Sequence, residues 1–393
     1  MSKLQELIQQ YCPDGVEYKK FGETATICRG ASPRPIKAYI SDKDKGVHWI
    51  KIGDVKTGAK YIENTEEYIT VEGAKKSRMV KQGDFILSNS MSFGRPYILK
   101  IDGCIHDGWL SISGFDKYFI SDFLYYVLNS TQVQKDMAKK ASFGGAVQNL
   151  NADIVRDLEI PVPPLEVQAE IVRILDTFTE LTAELTAELT ARQKQYEYYR
   201  DSLLNFNHKI FMVITLDKIS KNCDSKRKPI TASKRQSGNI PYYGASGIVD
   251  YVKDYIFDGN YLLISEDGAN LLARNTPIAF SISGKTWVNN HAHILKFDEP
   301  VTQKYVEIYL NSIDLSPYIS GGAQPKLNQQ NLNKIEIPLP PLDVQQRIVE
   351  VLDNFEKICT DLKIGLPAEI NARKQQYEYY RDKLLTFRKK DEL

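Results

Sequence analysis

The stretch from Ile160 to Phe206 occurs a second time as Ile337 to Phe387, and this duplication constrains the fold more than any other feature of the chain. The two stretches agree best at their ends, where Ala191 to Phe206 and Ala372 to Phe387 share 12 of 16 positions. Each opens with a proline-rich lead-in, Ile160-Pro-Val-Pro-Pro-Leu165 and Ile337-Pro-Leu-Pro-Pro-Leu342. Proline's fixed φ favours extended chain there, and the last proline suits a first helical turn. A long helix is predicted to follow each lead-in.

In the first helix the apolar residues fall at Val167, Ile171, Ile174, Phe178, Leu181, Leu185, Leu189, Tyr196, Tyr199, Leu203 and Phe206, interrupted only by Arg192. That spacing is a heptad seam with one stutter at the repeated Thr-Ala-Glu-Leu units ending at Leu185 and Leu189. The second seam runs through Val344, Ile348, Val351, Phe355, Ile358, Leu362, Leu366, Ile370, Tyr377, Tyr380, Leu384 and Phe387. Asp176 and Asp353 are 177 positions apart whereas Tyr196 and Tyr377 are 181 apart, so four residues are inserted mid-helix in the second stretch. Four residues lengthen a helix by about 6 Å and nearly preserve its buried face. Gly365 and Pro367 lie in this zone and predict a kink or break. Two matching seams in one chain most simply pack as an antiparallel pair.

The remaining sequence repeats in layout but hardly in residues. Short apolar runs such as Trp49-Ile-Lys-Ile, Phe85-Ile-Leu-Ser and Tyr97-Ile-Leu-Lys-Ile predict strands before the first helix, as do Tyr261-Leu-Leu-Ile-Ser and Pro277-Ile-Ala-Phe-Ser-Ile before the second. Helices are predicted near Leu4 to Tyr11, Ser121 to Asn129, Thr131 to Lys140 and Gln303 to Asn311. The expected organisation is α+β with a pseudo-two-fold internal repeat: a β-rich head over residues 1–160, a helix over 161–206, a second head over 207–337, a second helix over 338–387, and a tail over 388–393. A shared spacer carrying unlike heads suits the reading of two unlike sites.

The polymer read must be recognised locally, because the net charge of the whole chain is only +1. Basic clusters occur at Arg29, Arg34 and Lys37 in the first head and at Lys226, Arg227, Lys228, Lys234 and Arg235 in the second. Polar loops accompany them: Ser88, Asn89, Ser92 and Arg95, then Gln148 in the glycine loop that begins at Gly144, in the first head. The second head offers Tyr242, Tyr243 and Ser246, then Asn289, Asn290 and His291, then Gln324 and Lys326. Arginine and lysine neutralise phosphate, and arginine and amides also pair with base edges. Solvated loop charge and turn-capping asparagines would leave the same residue types, so each side chain is a candidate.

Catalytic chemistry has little support. No Gly-x-Gly-x-x-Gly or Asn-Pro-Pro-Tyr sequence is present, and a Walker loop before Gly284-Lys285 fails at Ala279. His291 and His293 share a strand face but have no carboxylate or cysteine near them in sequence, so no metal is expected. Cys12, Cys28, Cys104, Cys223 and Cys359 are scattered and fit neither a disulfide framework nor a zinc site. With no apolar signal region and no membrane-length apolar run, the chain is expected to be cytoplasmic. A purely structural coiled-coil adaptor remains as the alternative.

Over nearly its full length the chain resembles the specificity subunits of type I restriction-modification systems. The resemblance rests on the twin Pro-Pro-Leu-x-x-Gln runs (Pro163 to Gln168, Pro340 to Gln345), the Thr-Ala-Glu-Leu units, and Tyr196-Glu-Tyr-Tyr-Arg-Asp201 with its twin Tyr377 to Asp382. The Gly-Ala-Ser-Gly and Asn-Asn-His-Ala-His runs add to it. It implies two target recognition domains entering double-stranded DNA and a helical ruler between them. It also implies assembly with two modification subunits, which bind S-adenosylmethionine and methylate adenine N6, and with restriction subunits that use ATP and magnesium. No cofactor would bind this chain itself. The helices would be the docking surface, which gives Tyr196, Tyr199, Arg200, Tyr377, Tyr380 and Arg381 a partner-binding role.

Overall fold

A computed structural model describes residues 2–56, 58–89, 93–141, 150–205, 211–321 and 324–390. The chain forms two compact units, Met1–Glu184 with Ile370–Leu393, and Leu185–Glu369. Its longer helices are α1 (Lys3–Tyr11), α2 (Ser121–Leu128), α3 (Thr131–Ala141), α4 (Leu165–Leu204), α5 (Pro300–Ser312), α6 (Leu342–Thr360) and α7 (Leu366–Leu384).

In the first unit a five-stranded sheet is ordered Thr26–Arg29, Trp109–Ser113, Phe85–Ser88, Pro96–Leu99, Tyr61–Ile62. Side chains alternate across a strand, and here both faces are buried. Phe85 and Leu87 enter a core with α2 and the start of α4, whereas Ile86 joins Tyr97 and Trp109 in a second core beneath the other five-stranded sheet. That is why Phe85-Ile-Leu is apolar without interruption. The second unit solves the problem the same way with two four-stranded sheets. Leu262 and Ile264 face the helical core, and Tyr261 and Leu263 face the other.

A short antiparallel ribbon closes each head, Tyr18–Lys20 with Glu159–Pro161 and Met212–Thr215 with Glu336–Leu339. The lead-in glutamines explain why their motif is repeated. Gln168 is buried, accepts from the Ile120 N–H, and donates to the Pro163 and Tyr118 carbonyls. Gln345 is buried in the same way, accepting from the Thr302 hydroxyl and donating to the Pro340 carbonyl. Each glutamine thereby satisfies the carbonyl of a proline just before its helix.

The long helices pack within each unit. In the second, Arg192 faces Cys359, Tyr196 faces Glu356 and Tyr199 stacks on Phe355 at 5.4 Å, so numbers rise on α4 as they fall on α6 and the pair is antiparallel. In the first, Phe178 stacks on Tyr380, also at 5.4 Å. The predicted break is present: α6 ends at Thr360, the Asp361 carboxylate accepts from the Lys363 and Ile364 N–H groups, and α7 begins at Leu366.

The heptad assignment of α6 needs correction. Val351 and Ile358 are exposed, as is Leu362 in the break beyond the helix, while Ile348, Val349, Leu352 and Cys359 are buried. The reason is that α5 of the head packs on α6, with Tyr305, Val306 and Ile308 in the same core, and a helix shared between a head and a partner helix buries a broader face than a two-helix seam.

Candidate nucleic-acid interface

Matched backbone bonds build the same loop cluster at one end of the central sheet in each head. In the first, Asn89 N–H donates to the Gly108 carbonyl at 3.1 Å and the Asn89 carbonyl accepts from Leu150 N–H at 2.8 Å. In the second, Glu266 N–H donates to the His291 carbonyl at 2.9 Å and its carbonyl accepts from Leu327 N–H at 2.8 Å. The next residues, Asn151 and Asn328, each cap a short helix through the side-chain oxygen. The frame and its leucine–asparagine step are repeated, but the central side chain is not: Asn89 stands in one head where Glu266 stands in the other.

In the first head the cluster centres on Asp107. Its carboxylate accepts from the Ser32 hydroxyl at 2.8 Å and lies 3.7 Å from the guanidinium of Arg34, which is largely exposed. The Ser32 bond holds the Asp107 carboxyl below its usual range. The Asp107 carbonyl accepts from the Asn89 amide and the Arg29 guanidinium. Ser88 and Asn89 are buried, and the Ser88 hydroxyl accepts from Arg95 N–H. The Arg95 side chain is exposed, and Lys37 lies on a short 3-10 turn over Ile36–Ala38. Ser92 and Gln148 lie outside the described residues.

The second head contains a buried charge network. The Arg227 guanidinium donates to Glu266 at 2.6 Å and to the Ala292 carbonyl at 2.7 Å, and lies 3.4 Å from Asp224. His293, almost fully buried, has Nδ1 2.6 Å from Asp224 and Nε2 2.7 Å from the Leu327 carbonyl, so both ring nitrogens meet acceptors. Burial alone would raise the Asp224 pKa, but the bond and charge of His293 outweigh it and hold the carboxyl below its ordinary value. Lys326 reaches the other Glu266 oxygen at 3.1 Å, and the exposed His291 ring lies 2.9 Å from Asp267. Both histidines therefore do have carboxylate partners, supplied by distant segments that spacing along the sequence could not reveal. Among the described residues no group of three His, Cys, Asp or Glu side chains is arranged to hold a metal ion.

The remaining candidates divide by exposure. Tyr242 is buried with its hydroxyl on the Ile230 backbone, and Arg235 lies over its ring at 4.4 Å while pairing with Asp250. Asn289 is buried and its side-chain oxygen accepts from His291 N–H; Tyr243 is half-buried beside Phe280. Lys226, Lys228, Lys234, Ser246, Asn290 and Gln324 are exposed. Sequence reasoning missed Asp107, Glu266 and Asp267. It also missed the apolar edge of the hairpin after Gly247, where Ile248 is 48% and Val249 58% exposed.

On the helices, Tyr196 and Tyr377 are half-buried, each beneath an arginine, Arg200 at 5.9 Å and Arg381 at 5.8 Å. The most exposed tyrosines of the motif are Tyr198 at 69% and Tyr379 at 61%, each edge-on to its neighbour, Tyr199 or Tyr380. Arg381 and Asp382 also cap α3, through the Thr131 hydroxyl and N–H.

These features define a class, a duplicated α+β scaffold whose units present one loop frame with two sets of side chains. The profile of the type I restriction modification DNA specificity domain matches residues 13–192 and 209–372. The chain belongs to that family and is a type I specificity subunit, a non-catalytic DNA-recognition chain. It is 38% identical over 174 residues to a putative specificity subunit of Haemophilus influenzae, covering 43% of this chain and 45% of that one. A Mycoplasma pneumoniae relative is 34% identical over 241 residues, covering 58% of this chain and 92% of the relative. The EcoR124I/EcoR124II specificity subunit of Escherichia coli is 35% identical over 261 residues, 59% of this chain and 64% of that one. The fold matches a chain from a solved type I restriction-modification assembly (TM-score 0.65, 15% identity, 94% of this chain and 97% of that one) and the specificity subunit of Thermoanaerobacter tengcongensis (TM-score 0.52, 15% identity, 94% and 95%). No helix among the described residues is long and apolar enough to cross a membrane.

Proposed function

We propose that this chain selects the DNA sequence on which partner adenine methyltransferase subunits act. The supporting observation is the pair of equivalent loop frames furnished with different side chains. Heads lying within residues 1–160 and 207–337 each enter a major groove. Because their side chains differ, the two half-sites differ, and the target is bipartite and asymmetric. Exposed Arg34, Lys37 and Arg95 in one head, and Lys226, Lys228, Lys234 and Lys326 in the other, take phosphates or guanine edges. Asn290 and Gln324 take adenine edges. Ser88, Asn89, Arg227, Tyr242 and Asn289 shape the loops from within.

The long helices set the gap between half-sites and dock two modification subunits, with Tyr198 and Tyr379 outermost and Tyr199 and Tyr380 beside them. S-adenosylmethionine belongs to the modification subunits, and ATP with magnesium to restriction subunits where these are present. The complex works on DNA in the cytoplasm. Selection of randomised duplexes by the purified complex tests the reading. Two unlike conserved blocks at a fixed gap are expected, and a single contiguous block or a palindrome would overturn it.

A further inference from the structure

The duplicated helices carry an aspartate and a tyrosine at equivalent places in each unit, Asp176 with Tyr377 and Asp353 with Tyr196. The heads meet these pairs with unrelated residues. In the first unit the Tyr126 hydroxyl donates to the Asp176 carboxylate, and the Tyr126 ring lies edge-on to Tyr377 at 6.4 Å. Lys60 sits over the rings of Tyr125 at 5.0 Å and Tyr126 at 5.3 Å, and its ammonium is 2.5 Å from Asp122. In the second unit Lys304 of α5 lies 2.8 Å from Glu307 on its own helix, and 3.6 Å and 3.7 Å from Asp353 and Glu356 on α6. A cleft of about 290 Å³ is lined by Lys304, Glu356 and Tyr196 together.

Both lysines are largely shielded from solvent, with 22% and 28% of their side chains exposed. Burial would lower their pKa, yet the carboxylates around them raise it. The junction between head and helix is thus a hydrogen bond from Tyr126 to Asp176 in the first unit and a longer ion-pair contact from Lys304 to Asp353 and Glu356 in the second, each beside an apolar core. An apolar contact tolerates sliding, whereas a shielded ion pair is satisfied in few geometries, and fixing register is the best-attested use of such groups.

We infer that Tyr126–Asp176 with Lys60, and Lys304–Asp353 with Glu356, are orientation locks that seat each head on its helix and so set how strictly the gap between half-sites is read. They are positioning residues, with no base contact of their own. The inference rests on the bipartite reading above. One base pair corresponds to about 3.4 Å of rise, so a head free to tilt by a comparable distance accepts neighbouring gaps.

The test uses the complete complex with its modification subunits, on duplexes carrying both selected half-sites at the natural gap and at one pair more or fewer. Tyr126→Phe and Lys304→Met are expected to keep the methylation rate at the natural gap within about threefold. Each should lose about tenfold of the discrimination against altered gaps, equivalent to about 1.4 kcal/mol. Single-base changes within either half should be rejected as strongly as by the unsubstituted complex. Gap discrimination unchanged in these variants, whatever happens to the melting temperature, overturns the lock and leaves the DNA reading standing. An unsubstituted complex that ignores the gap overturns the DNA reading itself. If Lys304→Met does not assemble, Glu356→Gln, which weakens the same contact from the half-exposed side, takes its place and the same outcomes decide.

Discussion

Glu170 shows how one residue on the duplicated helix departs from the repeat. Its nearly buried carboxylate accepts from Arg173 at 2.6 Å and 3.0 Å and from Lys3 of α1 at 3.1 Å. The Arg173 bonds outweigh burial, and with Lys3 they bring its pKa down to about 2 from an ordinary 4.5. A depressed folded-state value means that the stabilisation is complete above about pH 4.5 and lost as pH falls toward 2. Glu170→Gln is expected to cost about 0.5–1 kcal/mol at pH 7, and the difference from the unsubstituted chain should shrink in urea titrations below pH 4. A difference independent of pH would mean that the side chain acts through packing alone. Arg227 tells a related story. From sequence it belongs with Lys226 and Lys228 as an exposed reader, and only the fold brings Glu266, 39 positions away, to its guanidinium. Basic residue type was legible, but the direction in which each side chain points depends on carboxylates from other strands.

At the scale of elements, the helices were legible because a 3.6-residue period survives in any context, and the break in the second because glycine and proline interrupt it. What could not be read was which apolar residues of α6 are buried, since α5 comes from a different part of the chain. Gly365 makes the break tight: a Cβ there would lie 2.6 Å and 2.7 Å from the Lys357 and Asp361 carbonyl oxygens. Gly365→Ala should therefore destabilise by about 1–3 kcal/mol, read as a lowered thermal midpoint, and an unchanged midpoint would show that the turn relaxes freely. Deleting Thr186–Leu189 removes about 6 Å of helix and should shorten the gap in the selected motif by one or two pairs. A motif with its gap unchanged would refute the ruler.

For the molecule as a whole, one scaffold serves twice. Phe178 stacks on Tyr380 and Phe355 on Tyr199, and the buried glutamines and closing ribbons recur, while the loop ends of the heads share a backbone frame with its asparagine cap and differ in the side chains around it. Division of labour follows, with geometry kept in the repeat and sequence choice left to the heads. The most direct test is a single-molecule map of N6-methyladenine in cells that express the modification subunit with and without this chain. The account predicts one asymmetric motif with two unlike blocks at a fixed gap, absent when the chain is absent. The same motif in cells lacking the chain would contradict it.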